Sequence, residues 1–315
     1  KVDPMAWLDA FLDAYMADYR AASHNETYQS QSNGTIIFGS QIGDVDVTNL
    51  QSAETHQEAD LGSGGPGGGA NANLTAQTQS NPTAVAGEQI GDVGVTNVQT
   101  AGTLQDIDLG SRGNGESDAD GVNANLTAQS QANPTAVSGD RIDDVGVTNV
   151  QSAGSFQDAD LGSGGSGVGG ANANLTAQSQ ANPTGIFGDQ SDDIDVTNIQ
   201  IAEIYQVFDL DFDDFGGPGV DIFIANLTIQ NQANATGIFG DQVGGIDVTN
   251  IQNAGSFQDI GLGGFGNPDG DIFIANLTVQ NQANPTVVSG NQIGDVDVTN
   301  VQVAEVHQDI DLGFG

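Results

Sequence analysis

The stretch VDVTNVQVAEVHQDIDL, Val296 to Leu312, carries the question on which the fold turns. One alternating set is Val296, Val298, Asn300, Gln302, Ala304, Val306, Gln308, Ile310 and Leu312. The other is Asp297, Thr299, Val301, Val303, Glu305, His307, Asp309 and Asp311. A period of two over this length marks an extended strand whose two sides meet different surroundings. The valine side also holds three carboxamides, and a buried amide without partners costs about 1–3 kcal/mol.

The rest of the chain offers those partners. The core VTNxQ occurs six times, with its asparagine at Asn49, Asn97, Asn149, Asn198, Asn250 and Asn300, at steps of 48, 52, 49, 52 and 50 residues. A second core begins at Asn25, Asn73, Asn125, Asn174, Asn226 and Asn276, and its steps are the same series. The two cores therefore belong to one repeated unit. In parallel, in-register stacks about 4.8 Å apart, identical amides donate to the copy on one side and accept from the copy on the other. The spacing predicts a ladder of the six VTNxQ asparagines. A second ladder holds Gln51, Gln99, Gln151, Gln200, Gln252 and Gln302, and a third holds Gln57, Gln105, Gln157, Gln206, Gln258 and Gln308.

The expected fold is all-β: a repeat β-solenoid or β-arcade of six units of about 50 residues with one N-terminal α-helix. Antiparallel hairpins in a sandwich are the competing arrangement, and twelve short rungs could replace six long ones. Each unit reads as strand A (ANLTAQSQAN in the third), a turn (PTAVSGDRIDD, broken by Pro134 and Gly139), strand B (Val145 to Leu161) and a Gly-rich join. The inward side of strand B in unit four is Ile194, Val196, Asn198, Gln200, Ala202, Ile204, Gln206, Phe208 and Leu210. Strand A is ambiguous. In unit five Phe223, Ala225, Leu227 and Ile229 share one side, and Ile222, Ile224, Asn226, Thr228, Gln230 and Gln232 the other.

Residues 1–24 form a separate element before the repeat domain, 25–315. DPMAWLDAFLDAYMADYR (3–20) has Asp3 and Pro4 where a helix starts, and Leu8, Phe11, Leu12, Tyr15, Met16 and Tyr19 at helical spacing. It reads as a cap on the stack or as a docking helix whose contacts would be Trp7, Leu8, Phe11, Leu12, Tyr15 and Tyr19. The last unit finishes on strand B with no closing helix, leaving Val306, Ile310 and Leu312 as contacts for a next chain. Head-to-tail contacts that do not close make fibres.

Asp and Glu number 42 against four Lys and Arg, a formal charge of −38. Phosphate contacts need cations, so nucleic acid is not an expected partner. The charge suits high salt, as in a salt-adapted or marine microbe, or bound divalent cations. Ca²⁺ is the one cofactor the acid columns allow, for example Glu58, Asp106, Asp158, Asp259 and Asp309, with Val207 the neutral member. There is no cysteine and no apolar run long enough to span a bilayer. The three histidines are scattered, and His56 and His307 stand where other units have Leu104, Phe156, Tyr205 and Phe257. No catalytic set or cofactor motif is present, so an enzyme is not expected. Sequons at Asn25, Asn33, Asn73, Asn125, Asn174, Asn226, Asn234 and Asn276 are candidate glycan acceptors wherever the asparagine faces out.

The amide spacing of NLTAQSQAN and TNVQSAGSFQ, with Ala153 and Gln157 four apart, resembles the repeats of curli-type bacterial amyloid subunits. Those repeats are shorter and follow Gln with a Gly-x-x-Asn that these units lack. The resemblance implies a secreted β-solenoid subunit that polymerises into extracellular matrix. The expected function is accordingly an extracellular structural protein, a self-associating filament or biofilm-matrix subunit. The alternatives are a monomeric calcium-dependent adhesin or surface-layer repeat domain, and a carbohydrate- or ice-binding solenoid.

Overall fold

A computed structural model describes residues 21–60, 69–108, 121–160, 170–215, 222–265 and 272–314. The expected helix over 3–20, with its six contact residues, lies outside them, as do the Gly-rich joins between units.

Six rungs stack in chain order, and each rung contributes one segment to each of three parallel sheets. The first sheet stacks Ala21–Ser32, Gly69–Ser80, Gly121–Ala132, Gly170–Ala181, Ile222–Ala233 and Ile272–Ala283. The third stacks Val45–Asp60, Val93–Asp108, Val145–Asp160, Ile194–Phe215, Ile246–Phe265 and Val296–Phe314. Register pairs equivalent residues, Asn125 with Asn174, Asn149 with Asn198, Gln151 with Gln200, and shifts only past Asp211 and Leu262 at the ends of the third sheet's last strands. The first rung begins at Ala21, so 21–24 belong to the solenoid rather than to the N-terminal element.

The segment read as a turn is a strand. Thr135–Ile142 and its counterparts Thr35–Ile42, Thr83–Ile90 and Thr184–Ser191 form the second sheet, which in the last two rungs is split into Thr236–Phe239 with Gln242–Val243 and Thr286–Ser289 with Gln292–Ile293. Pro134 does not end the pairing, because it sits at the corner and its carbonyl still accepts from Thr83 N–H at 2.9 Å. The ladder runs on through the next corner, where Val93 N–H reaches Asp144 O at 2.8 Å. A column of glycines makes the second sheet possible. A Cβ on Gly139 would stand 2.8 Å from the carbonyl oxygen of Gly87, its counterpart one rung down. Equivalent glycines recur at 39, 87, 188, 240 and 290.

Two kinds of interior result. Between the second sheet and the start of the third lies an apolar core, including Val85, Ile90, Val93, Val95, Val137, Ile142, Val145 and Val147. Between the first sheet and the remainder of the third, the interior is largely amide. The structure settles the ambiguity of strand A: Asn226, Thr228, Gln230 and Gln232 are buried, while Phe223 is exposed and Leu227 and Ile229 are half-buried. Outward aromatic side chains also follow the register. Phe187 stacks on Phe239 with centroids 5.3 Å apart, and Phe223 on Phe273 at 5.1 Å.

Candidate functional site: amide ladders and the last rung

In the third sheet, Asn97 Nδ2 donates to Asn149 Oδ1 at 2.9 Å, and Asn149 Nδ2 to Asn198 Oδ1 at 2.9 Å. The glutamine ladders run the other way: Gln99 Nε2 donates to Gln51 Oε1 at 3.0 Å, and Gln151 Nε2 to Gln99 Oε1 at 3.0 Å. The direction is fixed by chemistry. The second N–H of Gln99 goes to the Ala132 carbonyl at 3.3 Å, and a backbone carbonyl can only accept. Gln51 through Gln302 and Gln57 through Gln308 are joined in this way from end to end.

Two further glutamine ladders, and a short asparagine one from Asn71 through Asn123 to Asn172, lie in the first sheet, where the pattern of strand A had left the inward side open. Gln131 Nε2 donates to Gln79 Oε1 at 2.9 Å and across the interior to Ser152 O at 3.0 Å, and Gln180 repeats this on Gln131 and Ile201. Gln129 bonds Gln77 Oε1, Thr103 Oγ1 and Gly154 O at 3.0–3.1 Å. The signal was the occurrence of these two glutamines in all six copies of strand A. The amides thus hold rungs together and tie two sheets across the interior. Two columns do not close: Asn81, Asn133, Asn182 and Asn234 are buried and their side chains find no hydrogen-bond partner, and in the column of Asn73, Asn125 and Asn174 the side chains of Asn226 and Asn276 find none either.

The inward turn of strand A bears on the sequons. Asn73, Asn125, Asn174, Asn226 and Asn234 are buried and have no room for a glycan in the folded chain. Asn25 and Asn276 are half-buried, and Asn33 is exposed with Nδ2 on Leu50 O at 3.3 Å.

Acids stack on the outer side. At the corner between the second and third sheets, Asp193 N–H donates to Asp144 Oδ1 at 3.2 Å and Gly245 N–H to Asp193 Oδ1 at 2.9 Å, so a backbone amide lies between successive carboxylates. In the column of Asp106 and Asp158, burial pushes the Asp158 carboxyl above its ordinary pKa, and the charges of Asp106 and Asp209 add to the shift, against a lowering contact with the Ala159 N–H. Among the described residues no group of three His, Asp or Glu side chains is placed to hold a metal ion. No helix among them is long and apolar enough to cross a membrane.

The last rung differs from those beneath it. Val296, Val298, Val306 and Ile310 are 41–52% exposed, whereas Ile246, Val248 and Ile260 one rung below are 0–3% exposed. Its ladders are directed. Gln302 and Gln308 donate down to Gln252 and Gln258, so their Oε1 atoms point away from the stack, while Asn300 accepts from Asn250 and turns its Nδ2 outward. The first rung has the reverse polarity: Gln51 accepts from Gln99, and Asn49 donates to Asn97.

Comparison of the chain with models of protein families, with curated proteins and with solved structures finds no match. The residues and their geometry therefore carry the functional reading.

Proposed function

We propose that the chain is the subunit of a filament, in which the last rung of one copy is covered by the first rung of the next. One observation carries the reading: the last rung presents an apolar and amide cross-section whose hydrogen-bonding polarity is complementary to the first. A second copy would place Asn49 Oδ1 over Asn300 Nδ2 and an N–H of Gln51 over Gln302 Oε1; Val45, Val47 and Gln51 of the first rung are only 6–7% exposed, so that face must open to make the contact. Covering four half-exposed aliphatic side chains and continuing the ladders both favour that contact. A heterologous contact of this kind repeats without closing. A secreted, extracellular or cell-surface setting at high ionic strength fits the charge of −38, because salt shortens the range over which like-charged copies repel.

Electron microscopy and sedimentation of the purified 315-residue chain test the proposal. Filaments that disappear on V298D/V306D, while circular dichroism still reports β structure, support it. Discrete rods at every concentration and salt level refute it, and assembly abolished by EDTA would move the reading to a calcium-organised array.

A further inference from the structure

We infer that the outward face of the third sheet carries a binding bay for a linear aliphatic polyamine, between Glu54 and Glu203. In the register of this sheet, Glu54, Gly102, Gly154, Glu203, Gly255 and Glu305 form one outward column. The next outward column is His56, Leu104, Phe156, Tyr205, Phe257 and His307. The two glycines open a trough of ≈ 470 Å³, closed at one end by Glu54 and at the other by Glu203 and walled by Leu104, Phe156 and Tyr205. A shorter trough of ≈ 450 Å³ over Gly255 repeats the arrangement between Glu203 and Glu305.

The fold gives no reason for these glycines. A Cβ on Gly154 meets nothing within 4 Å, one on Gly102 meets only Glu54 Cγ at 3.6 Å, and neither residue has a left-handed φ. Glutamates occupy the same column in other rungs, so a side chain fits there. Glycine inside a strand costs about 0.5–1 kcal/mol relative to alanine; the register runs unbroken through Gly102 and Gly154, so no bulge accounts for them, and a ligand approaching the backbone is another common use of a strand glycine. Relief of like charge alone would be met by serine or asparagine.

The bay selects its occupant by charge and length. Both ends carry a carboxylate, His56 beside Glu54 is the one basic side chain lining the trough, with no Lys or Arg, and the whole chain carries −38. Three strand steps separate Glu54 from Glu203, on the order of 14 Å at the usual spacing. Phe156 and Tyr205 are 37% and 44% exposed and form an apolar side wall. Tyr205 lies 5.9 Å from Phe257, so the wall continues toward the second trough. A thin chain with ammonium groups near both ends and methylenes between them satisfies each of these features. A bulky or polymeric ligand would be stopped by Glu203, which stands in the trough's own column.

Calorimetric titration of the intact chain with spermidine at fixed ionic strength tests this. The expected result is saturable binding weakened about tenfold by Glu54→Gln, the scale of one lost charge-assisted contact. Gly154→Leu, which fills the bay without altering charge, should weaken it by a similar factor. Glu58→Gln, which removes an exposed acid from the column beyond that of His56, should leave it unchanged. Binding unaffected by Gly154→Leu, or weakened equally by Glu54→Gln and Glu58→Gln, would mean diffuse counter-ion attraction and overturn the assignment. So would equal binding of Mg²⁺ or of a lysine-rich peptide that is insensitive to Gly154→Leu.

Discussion

Replacing Gln151 by glutamate changes one NH₂ into an oxygen and almost nothing in volume, so it isolates the chemistry of a ladder. In the native stack Gln151 Nε2 donates to Gln99 Oε1 at 3.0 Å and to Ala181 O at 3.3 Å, and its Oε1 accepts from Gln200 Nε2 at 3.0 Å. An ionised glutamate there would face two acceptors in a fully buried position, so the folded state takes up a proton and its pKa rises. Holding a carboxyl neutral costs about 1.4 kcal/mol for each pH unit above its unfolded value near 4.3. That is about 3–4 kcal/mol at pH 7 and about 1 kcal/mol at pH 5. A further loss of about 1 kcal/mol follows at both pH values from the hydrogen bond that one carboxyl proton cannot replace. The sign follows from the raised folded-state pKa: the variant keeps its stability below the unfolded pKa and loses it as pH rises. Urea unfolding of wild type and Q151E at pH 7 and pH 5 should therefore give a deficit larger at pH 7 by about 2–3 kcal/mol. Q302E, in the exposed last rung of the unassembled chain, should show a deficit below about 0.5 kcal/mol at either pH, because water solvates its carboxylate. A deficit for Q151E that is independent of pH, or no larger than that of Q302E, would refute the reasoning that the ladders are buried, directed and mutually satisfying.

Glycines at two positions should behave oppositely. Gly139→Ala drives a Cβ against the Gly87 carbonyl and should lower the melting temperature, while Gly154→Ala, in open space on a strand, should leave it unchanged or raise it; equal effects would contradict the close approach of the second sheet's backbones. Asp158→Asn removes a carboxyl whose pKa burial raises, so the variant should be more stable than wild type at pH 7, and the gain should vanish as pH falls toward the ordinary Asp value of about 3.9. A gain that persists at low pH would point to packing instead. Thermal stability should climb from low to molar NaCl as the charge of −38 is screened; a flat profile would show that the acid columns are already neutralised locally.

The parts of the solenoid legible in sequence are those set by period and repetition. Strand B alternates over its whole length, six copies preserve it, and a buried row of Asn and Gln has few arrangements other than an in-register stack that satisfy its amides. That reasoning led to six rungs, with twelve short ones left as the alternative, and to the partners of Asn149, Gln151 and Gln157. It failed at PTAVSGDRIDD, because Pro134 and Gly139 are turn residues by local propensity. In the folded chain the proline sits at a corner with a carbonyl that still pairs, and the glycine is there to let one backbone approach the next, which only the neighbouring rung makes necessary.

Strand A shows the same division. Its aliphatic and amide sides are equally regular, and hydrophobicity alone would have turned Leu227 and Ile229 inward. Only the packed structure shows that the first and third sheets face each other across an interior that glutamines span, with Gln131 reaching Ser152 O and Gln180 reaching Ile201 O. Sequence by itself determined what stacks on what, since identity at a fixed spacing needs no knowledge of the third dimension. Which side of strand A is inside, where the second sheet forms, and where two glycines leave a trough depend on distances between segments far apart in the chain, and those distances exist only once the rungs have closed.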